Sequence, residues 1–384
     1  MAEEKPSVAA GAEPGKDADR ETLLKKALRG HVLPGLDAIR AAAVMMVVLK
    51  HLGQPFSGSL GVMIFFVLSG FLITSLLLKE VRKTGTISLR NFYRRRSYRI
   101  LPTFYFAWLM TFVVRYLRHE AILWNQAATV FFYLTNYGRA ILPLSGQITY
   151  FMSIAWSLAI EEQFYVVWPL ALLWIMFKPK HAGKIVGGVI LAIWIWRVVL
   201  MYGFGVTWAW VYNATDTRAD ALLIGSLLAI VLNRERLPKL VMKTLSTRWL
   251  VLIPIAVLVW GTYIDLHLDT RLSLQLLAFT AEPVFTAMIL VQWLYWGTLG
   301  WKLLEHPVIK FVARLSYGVY LYQDFGFAIT GHIPIPHMQR ILTLPIVFAF
   351  AAASYYCIER PFMRMRDRGK SHSVLMDDGL KHSS

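Results

Sequence analysis

The first apolar segment of the chain carries two ionisable side chains, Arg40 and His51, eleven residues apart. In an α-helix eleven residues return to within about 20° of the starting face and rise roughly 16 Å, so both side chains share one stripe. Asp37 lies three residues before Arg40, within pairing range on that face. Ionisable groups in such segments are costly and usually face a bundle interior or a wet cavity. The pattern favours a reactive imidazole above a cation; the alternative is a helix end with both groups at the interface.

A second cluster is the densest cationic stretch of the chain, S-L-R-N-F-Y-R-R-R-S-Y-R-I-L-P at 88–102. Guanidinium groups bind phosphate oxygens bidentately, and Arg96 and Arg99 share a helical face. The stretch fits a clamp for a cytosolic polyphosphorylated donor such as a nucleotide or coenzyme A. Contact with anionic lipids is the alternative. The candidate donor-binding residues are Arg94, Arg95, Arg96 and Arg99.

Three more clusters lie in or at the start of apolar segments. The motif W-S-L-A-I-E-E-Q-F-Y at 156–165 holds Glu161 and Glu162, for which an interfacial pair in water is the alternative. Asp216, Arg218 and Asp220 lie within reach of one another, and a local salt bridge that caps the helix would also explain them. The stretch S-Y-G-V-Y-L-Y-Q-D at 316–324 holds polar groups that are either functional or only packed. The candidate acceptor-binding residues are Trp156, Glu162, Arg218, Asp220, Tyr320 and Gln323.

The elements that must position these groups are membrane helices. With 384 residues, 57% hydrophobic content and a mean hydropathy of +0.50, the composition excludes an ordinary soluble globule. We predict an all-α polytopic membrane protein, with about ten transmembrane helices enclosing a membrane-embedded active site. The predicted spans are 36–53, 59–79, 100–118, 156–177, 185–204, 217–233, 249–265, 273–296, 314–330 and 340–357.

The distribution of basic residues predicts how the chain is oriented in the membrane. The chain has 40 Lys and Arg against 23 Asp and Glu, and its basic clusters fall on one side of the membrane only if the apolar segment 121–136 does not span it. We therefore expect that segment at the outer surface, both termini in the cytoplasm and a multi-pass protein of the inner (plasma) membrane. No nucleic-acid partner, cleavable signal peptide or metal site is expected. Cys357, the single cysteine, is expected in the core.

Six motifs, in the family's order, resemble the acyltransferase-3 family of integral membrane acyltransferases. They are L-D-A-I-R-A-A-A-V-M-M-V-V-L-K-H with its Arg-x10-His spacing, F-F-V-L-S-G-F-L-I-T, F-Y-R-R-R-S-Y-R-I-L-P, W-S-L-A-I-E-E-Q-F-Y, R-A-D-A-L-L-I-G and S-Y-G-V-Y-L-Y. The similarity covers 32–365 as one transmembrane acyltransferase domain. Residues 1–31, with a short amphipathic helix at Glu21–Arg29, and residues 366–384 are expected to be disordered cytoplasmic tails.

The resemblance implies ten transmembrane helices and an acyl-CoA donor, with acetyl the commonest acyl group and no tightly bound cofactor. It implies a hydroxyl acceptor on a sugar of an extracytoplasmic glycan or on a secondary metabolite. It also implies Arg40 and His51 as the essential pair, with Glu161, Arg96 and Arg99 as supporting residues. Many relatives carry an appended esterase-like domain, which is expected to be absent, so transfer would be completed in the membrane domain.

In the expected mechanism, His51 is the general base that deprotonates the acceptor hydroxyl, and Glu161 fixes its tautomer or stabilises the imidazolium. A covalent acyl-histidine intermediate is the alternative. Relatives often have histidine where this chain has Gln323, which can form hydrogen bonds but cannot titrate. A multi-span transporter of a glycan or small metabolite is the competing function. Such a protein is expected to show inverted repeats or broken helices, and the sequence shows no repeat.

Overall fold

The computed structural model describes residues 35–141, 151–234, 237–267, 272–297, 302–331 and 333–366, together with parts of 21–33. Regular structure within these ranges is helical, and no described residue lies in a strand. The predicted all-α architecture is confirmed. Residues 21–22, 24–26 and 28–29 are helical, where the sequence predicts a short amphipathic helix. The rest of the two predicted tails, 1–20 and 367–384, lies outside the described residues.

The helices follow one another through short connections. In chain order they are α1 Leu36–His51, α2 Gly58–Thr84, α3 Leu89–Leu117, α4 Trp124–Phe131, α5 Thr135–Ile141, α6 Ala155–Met176, α7 Ala182–Val198, α8 Trp208–Asn213, α9 Thr215–Leu232, α10 Lys239–Ser246, α11 Leu252–His267, α12 Leu272–Gly297, α13 Pro307–Thr330 and α14 Pro336–Ser354. Helix α7 continues into the π-helical turn Val199–Gly203, and α14 into the π-helical turn Tyr355–Glu359.

Six described stretches are long and apolar enough to cross a membrane, which makes this a multi-pass membrane protein. They are Gly58–Thr84, Leu89–Leu117, Ala155–Met176, Pro179–Gly203, Gln275–Trp296 and His337–Arg366, and Trp249–Tyr263 is a shorter apolar helix. The other predicted spans correspond to α1, α9 and α13, which carry the ionisable motifs. Helix α2 packs against both α1 and α9, and α13 packs against α1. The charged helices are therefore held inside the bundle by apolar neighbours.

The apolar segment 121–136 forms two short helices instead of one span. Helices α4 and α5 have 8 and 7 residues, so each rises only about 12 Å or less. A hydrocarbon core is about 30 Å thick, so neither helix crosses it. This agrees with the prediction that the segment stays on one side of the membrane.

Helices α2 and α9 approach each other through two glycines. A Cβ atom at Gly70 would lie 1.8 Å from the carbonyl oxygen of Leu222, and one at Gly225 would lie 2.0 Å from that of Val67. Only glycine allows such close backbone contact, as is common between membrane helices. This contact sets how closely α9, which carries Arg218, packs against α2.

The π-helical turn at the end of α14 changes which side chains face the bundle. A turn of this kind holds an extra residue and shifts the register of the residues after it. Glu359 is buried at 6% exposure, whereas Cys357 is exposed. The prediction that the cysteine packs in the core is wrong, because this turn directs it outward and brings the carboxylate inward.

Candidate active site

The imidazole of His51 is held by an amide of α13. Its Nδ1 atom lies 2.8 Å from Oε1 of Gln323, and Nε2 of that glutamine donates to the backbone carbonyl of Tyr320 across 2.9 Å. A carbonyl only accepts hydrogen bonds, so this second contact fixes the amide with Oε1 toward the ring. The Nδ1 atom therefore carries the proton, and Nε2 keeps a basic lone pair. Gln323 is fully buried, whereas His51 is exposed at the end of α1.

A carboxylate also lies beside this ring. Asp324 is close to His51, and its Oδ2 accepts a hydrogen bond from the Ser153 hydroxyl across 3.1 Å. Arg139 donates to the Ser153 carbonyl across 2.6 Å. The sequence gives no signal for Arg139 or Ser153, because they belong to no motif. Phe327 contacts the imidazole edge to face, with ring centres 6.2 Å apart.

Glu161 does not contact His51, contrary to the expected mechanism. It lies in α6 near Tyr165, Ser69, Arg96 and Arg40. Because Glu161 lies six residues after the first residue of α6, it is about 9 Å along the helix axis from the N-terminal end. The contact assigned to Glu161 from the sequence is made by Gln323.

Below the imidazole, α1 and α3 bring three arginines together. Arg40, Arg96 and Arg99 lie close to one another, although like charges repel. The Arg96 guanidinium stacks 3.5 Å from the ring centre of Tyr165, and Arg99 lies near the buried Glu359. All three arginines are half-buried even though their helices pack within the protein. We call these three residues the arginine cluster.

The other two predicted donor-binding arginines are placed differently. Arg95 forms a salt bridge with Glu80 at 2.9 Å, so its charge is already compensated. Arg94 is half-buried, and its Nε atom has no hydrogen-bond partner in the described part of the chain. The salt bridge to Glu80 therefore makes Arg95 a weaker candidate than Arg96 and Arg99, whereas Arg94, among the described residues, shares its half-buried position and unpartnered Nε atom with Arg96.

The candidate acceptor-binding residues fall into separate groups. Glu162 lies near Arg96 and Tyr133, away from His51. Tyr320 is closer to the imidazole: its hydroxyl lies 2.6 Å from that of Ser157, one residue after Trp156. The Tyr320 carbonyl also holds Gln323 in place. The structure therefore joins Tyr320 and Gln323 to the site around His51, with Trp156 next to Ser157, and places Glu162 with the arginine cluster.

The local salt bridge among Asp216, Arg218 and Asp220, which the sequence left as the alternative explanation of this cluster, does not form in the described part of the chain. Asp220 instead forms a fully buried salt bridge with Arg197 of α7, and Asp216 accepts a hydrogen bond from Trp196 at 2.9 Å. Arg197 was missed because it is a single charge in an apolar segment, distant in sequence from its partner. Arg218 is left among aromatic rings with no hydrogen-bond partner for its nitrogen atoms among the described residues.

Comparison with known proteins finds a family model and several relatives that are all named as acyltransferases. A family model described as "Acyltransferase domain" matches residues 33–359. The chain is 30% identical over 366 residues to a Staphylococcus aureus (strain COL) protein named "Putative O-acetyltransferase", covering 86% of this chain and 57% of that protein. It is 31% identical over 376 residues to a Bacillus subtilis protein named "Putative peptidoglycan O-acetyltransferase", covering 90% and 57%.

A third relative is the peptidoglycan O-acetyltransferase of Listeria monocytogenes, 30% identical over 353 residues that cover 86% of this chain and 56% of the relative. The chain thus spans a little more than half the length of these curated relatives. No solved structure shows a significant match to it.

Proposed function

The chain belongs to the acyltransferase-3 family of integral membrane acyltransferases, and from this premise we propose that it transfers an acyl group from cytosolic acyl-CoA to a sugar hydroxyl outside the membrane. Relatives named for O-acetylation support acetyl as the acyl group, and those named for peptidoglycan support a glycan acceptor. The proposed location is the plasma membrane with both termini cytoplasmic, which the one-sided distribution of basic clusters supports.

The observation that carries the proposal is the His51–Gln323 hydrogen bond, which leaves Nε2 of the imidazole as a base. In the proposed reaction, Nε2 takes the proton of the acceptor hydroxyl while the hydroxyl oxygen attacks the thioester carbonyl carbon. The carbon–sulfur bond then breaks, and the departing CoA sulfur takes the proton from the imidazolium. General-base assistance of this kind is worth about 10²–10⁴ in rate.

The arginine cluster is the proposed donor site. Its guanidinium groups suit phosphate oxygens, and an extended pantetheine arm is comparable in length to the roughly 16 Å rise between Arg40 and His51. The donor would place its phosphates below and its thioester beside the imidazole. Since Glu161 lies next to Arg40 and Arg96, we assign it the role of holding these arginines in position.

The test uses the full chain in proteoliposomes, with labelled acetyl-CoA and a soluble peptidoglycan fragment. The wild type should transfer label to the fragment. His51→Ala should lose at least about 10²-fold in rate while membrane insertion is unchanged. His337→Ala is the matched control, because His337 is also exposed and lies in the first turn of α14. It should retain full activity.

Two results would contradict the proposal. Normal turnover by a correctly inserted His51→Ala variant would remove the imidazole from the mechanism. Flux of the fragment across the membrane without label incorporation would favour the transporter.

A further inference from the structure

Three arginines from different parts of the chain meet in a surface crevice where α2 and α9 end. Arg29 is the last residue of the N-terminal helix, our name for the helical residues within 21–29, Arg82 lies in the last turn of α2, and Arg234 follows α9 by two residues. All three line the crevice, and Arg29 lies close to Arg82. No described group forms a salt bridge or hydrogen bond with any of the three guanidinium groups.

The carboxylates on the same helices do not balance these charges. Glu21 of the N-terminal helix forms a salt bridge with Lys25 at 2.6 Å, and Glu80 of α2 forms one with Arg95 at 2.9 Å. Like charges held near one another repel, and salt screens this repulsion only in part at short range. An anion placed among the three arginines would offset the repulsion, so the crevice is suited to bind one.

The adjoining helix ends compensate only part of this charge. A helix C-terminus carries about half a negative charge, which favours Arg29 and Arg82 in the last turns of their helices. Arg234 lies instead against the first turn of α7, where a Cβ atom at Gly183 would lie 3.0 Å from its Nη2 atom. A helix N-terminus is positive, so this end repels a cation and attracts an anion. The crevice therefore keeps an excess of positive charge.

Contacts beside the three guanidinium groups set the position of the N-terminal helix. Leu28 of this helix is buried and forms part of the crevice wall. Lys79 of α2 donates to the backbone carbonyl of Gly30, the residue after the helix, across 2.8 Å. Arg29 is therefore brought to Arg82 by packing and by this hydrogen bond, although the two charges repel. An anion shared by the two arginines would strengthen the same contact between the helices.

The size and depth of the crevice indicate the kind of anion. Its enclosed part has a volume of about 10 Å³, which admits one water-sized group and excludes a buried organic ligand. From Gly58 to Arg82, α2 rises about 36 Å. A hydrocarbon core is about 30 Å thick, and the headgroup layers extend the bilayer to about 40–45 Å. Arg82 therefore lies at the level of the lipid headgroups, where anionic lipids attract basic side chains.

We propose that Arg29, Arg82 and Arg234 bind the phosphate of an anionic phospholipid. A phosphate oxygen enters the crevice, and guanidinium groups from three elements share the phosphate charge. The phosphate thereby joins the N-terminal helix to α2 and α9. This site does not depend on the proposed acyl transfer, because it uses neither the arginine cluster nor His51.

The test measures binding to the full chain in detergent by native mass spectrometry, with phosphatidylglycerol, phosphatidylcholine or inorganic phosphate as the probe. The wild type should prefer phosphatidylglycerol to inorganic phosphate and to phosphatidylcholine, whose choline cancels the phosphate charge. Arg82→Gln should weaken phosphatidylglycerol binding about 5-fold, and replacement of all three arginines by glutamine about 100-fold, given what one basic side chain contributes to anionic-lipid binding. Arg82→Lys keeps the charge without the planar fork and should lie between the wild type and Arg82→Gln.

Arg90→Gln is the matched control, because Arg90 is also an exposed arginine at this end of the bundle, in the first turn of α3, and does not line the crevice. It should bind phosphatidylglycerol like the wild type. Equal binding of the two lipids by the wild type, wild-type affinity in Arg82→Gln, or an equal loss in Arg90→Gln overturns the site. Binding of inorganic phosphate in preference to phosphatidylglycerol overturns its assignment to a lipid.

Hydrogen exchange tests the proposed link between the helices. Phosphatidylglycerol should slow exchange of the backbone amides of 21–29 in the wild type and in Arg90→Gln. It should not do so in Arg82→Gln, although that substitution lies on α2. Unchanged exchange in the wild type at saturating lipid overturns the role of the phosphate in holding the N-terminal helix.

Discussion

Replacing Gln323 with methionine tests whether the amide of α13 sets the tautomer of the His51 imidazole, the base of the proposed reaction. Methionine has a similar length and fills the same fully buried position, but it cannot accept a strong hydrogen bond from Nδ1 of His51. The imidazole would then be free to place its proton on either nitrogen. Only the form with the proton on Nδ1 has Nε2 available as the base.

The expected loss of kcat follows from the change in charge of the imidazole during the reaction. In the resting state the 2.8 Å contact joins two neutral groups, which is worth about 1 kcal/mol, whereas in the transition state the donor becomes cationic and the bond is worth about 1.5–3 kcal/mol. The difference, about 0.5–2 kcal/mol, acts only on the transition state and corresponds to roughly 2- to 30-fold in kcat. The KM for acyl-CoA should not change, because the arginine cluster is untouched.

The assay is steady-state transfer of label from acetyl-CoA to a soluble acceptor by the reconstituted protein. Tyr322→Phe is the control, since it removes a buried hydrogen bond, from Tyr322 to Ser354 at 2.9 Å, at the neighbouring position of α13. It should affect stability but not kcat. Gln323→Glu retains an acceptor at this position and should recover most of the activity. A Gln323→Met protein with wild-type kcat, or one altered only in KM, would refute the assignment of the base to Nε2.

Three further predictions concern the donor site and the bundle. Arg96→Ala should raise the KM for acyl-CoA by about 10- to 100-fold with correct membrane insertion, measured by donor titration, because charge-assisted contacts to phosphate are lost. Gly70→Ala should destabilise the protein by about 3 kcal/mol in detergent unfolding, because its methyl group would lie 1.8 Å from a backbone oxygen of α9, whereas Gly187→Ala, with no atom within 4 Å, should be neutral. Asp220→Asn should cost about 3–5 kcal/mol in the same assay, because it leaves the buried Arg197 unpaired.

The first helix shows what a local pattern can predict. The spacing of Arg40 and His51 depends only on helical geometry, and α1 spans Leu36–His51 without interruption. The positions of the apolar spans were predictable for the same reason, since a membrane requires about 20 apolar residues in sequence. The split of 121–136 into α4 and α5 agrees with the charge argument, although the sequence did not indicate where the break lies.

The partners of the charged groups could not be predicted in this way. Glu161 was assigned to His51 because both lie toward the outer side, yet its depth along α6 brings it to Arg96. The sequence places Asp216, Arg218 and Asp220 within reach of one another, but residues two apart, such as Arg218 and Asp220, point in different directions on a helix. Its partner, Arg197, comes from another helix. Such pairs depend on which helices are neighbours, and a single sequence does not contain that information.

Two groups of polar residues lie at different heights along the helices, the arginine cluster and the residues around His51. Their arrangement affects how binding of the proposed donor is linked to binding of the proposed acceptor. Helix α1 carries Arg40 of the arginine cluster and also His51. Helix α6 carries Tyr165, which stacks on Arg96 of that cluster, and Ser157, which hydrogen-bonds to Tyr320 near His51. Each of these two helices thus connects the arginine cluster rigidly to the residues around His51. If either helix shifts when the proposed donor binds, the residues around His51 on that helix would move by the same amount. We therefore expect binding of acyl-CoA to be coupled directly to alignment of the imidazole, without a separate signalling element.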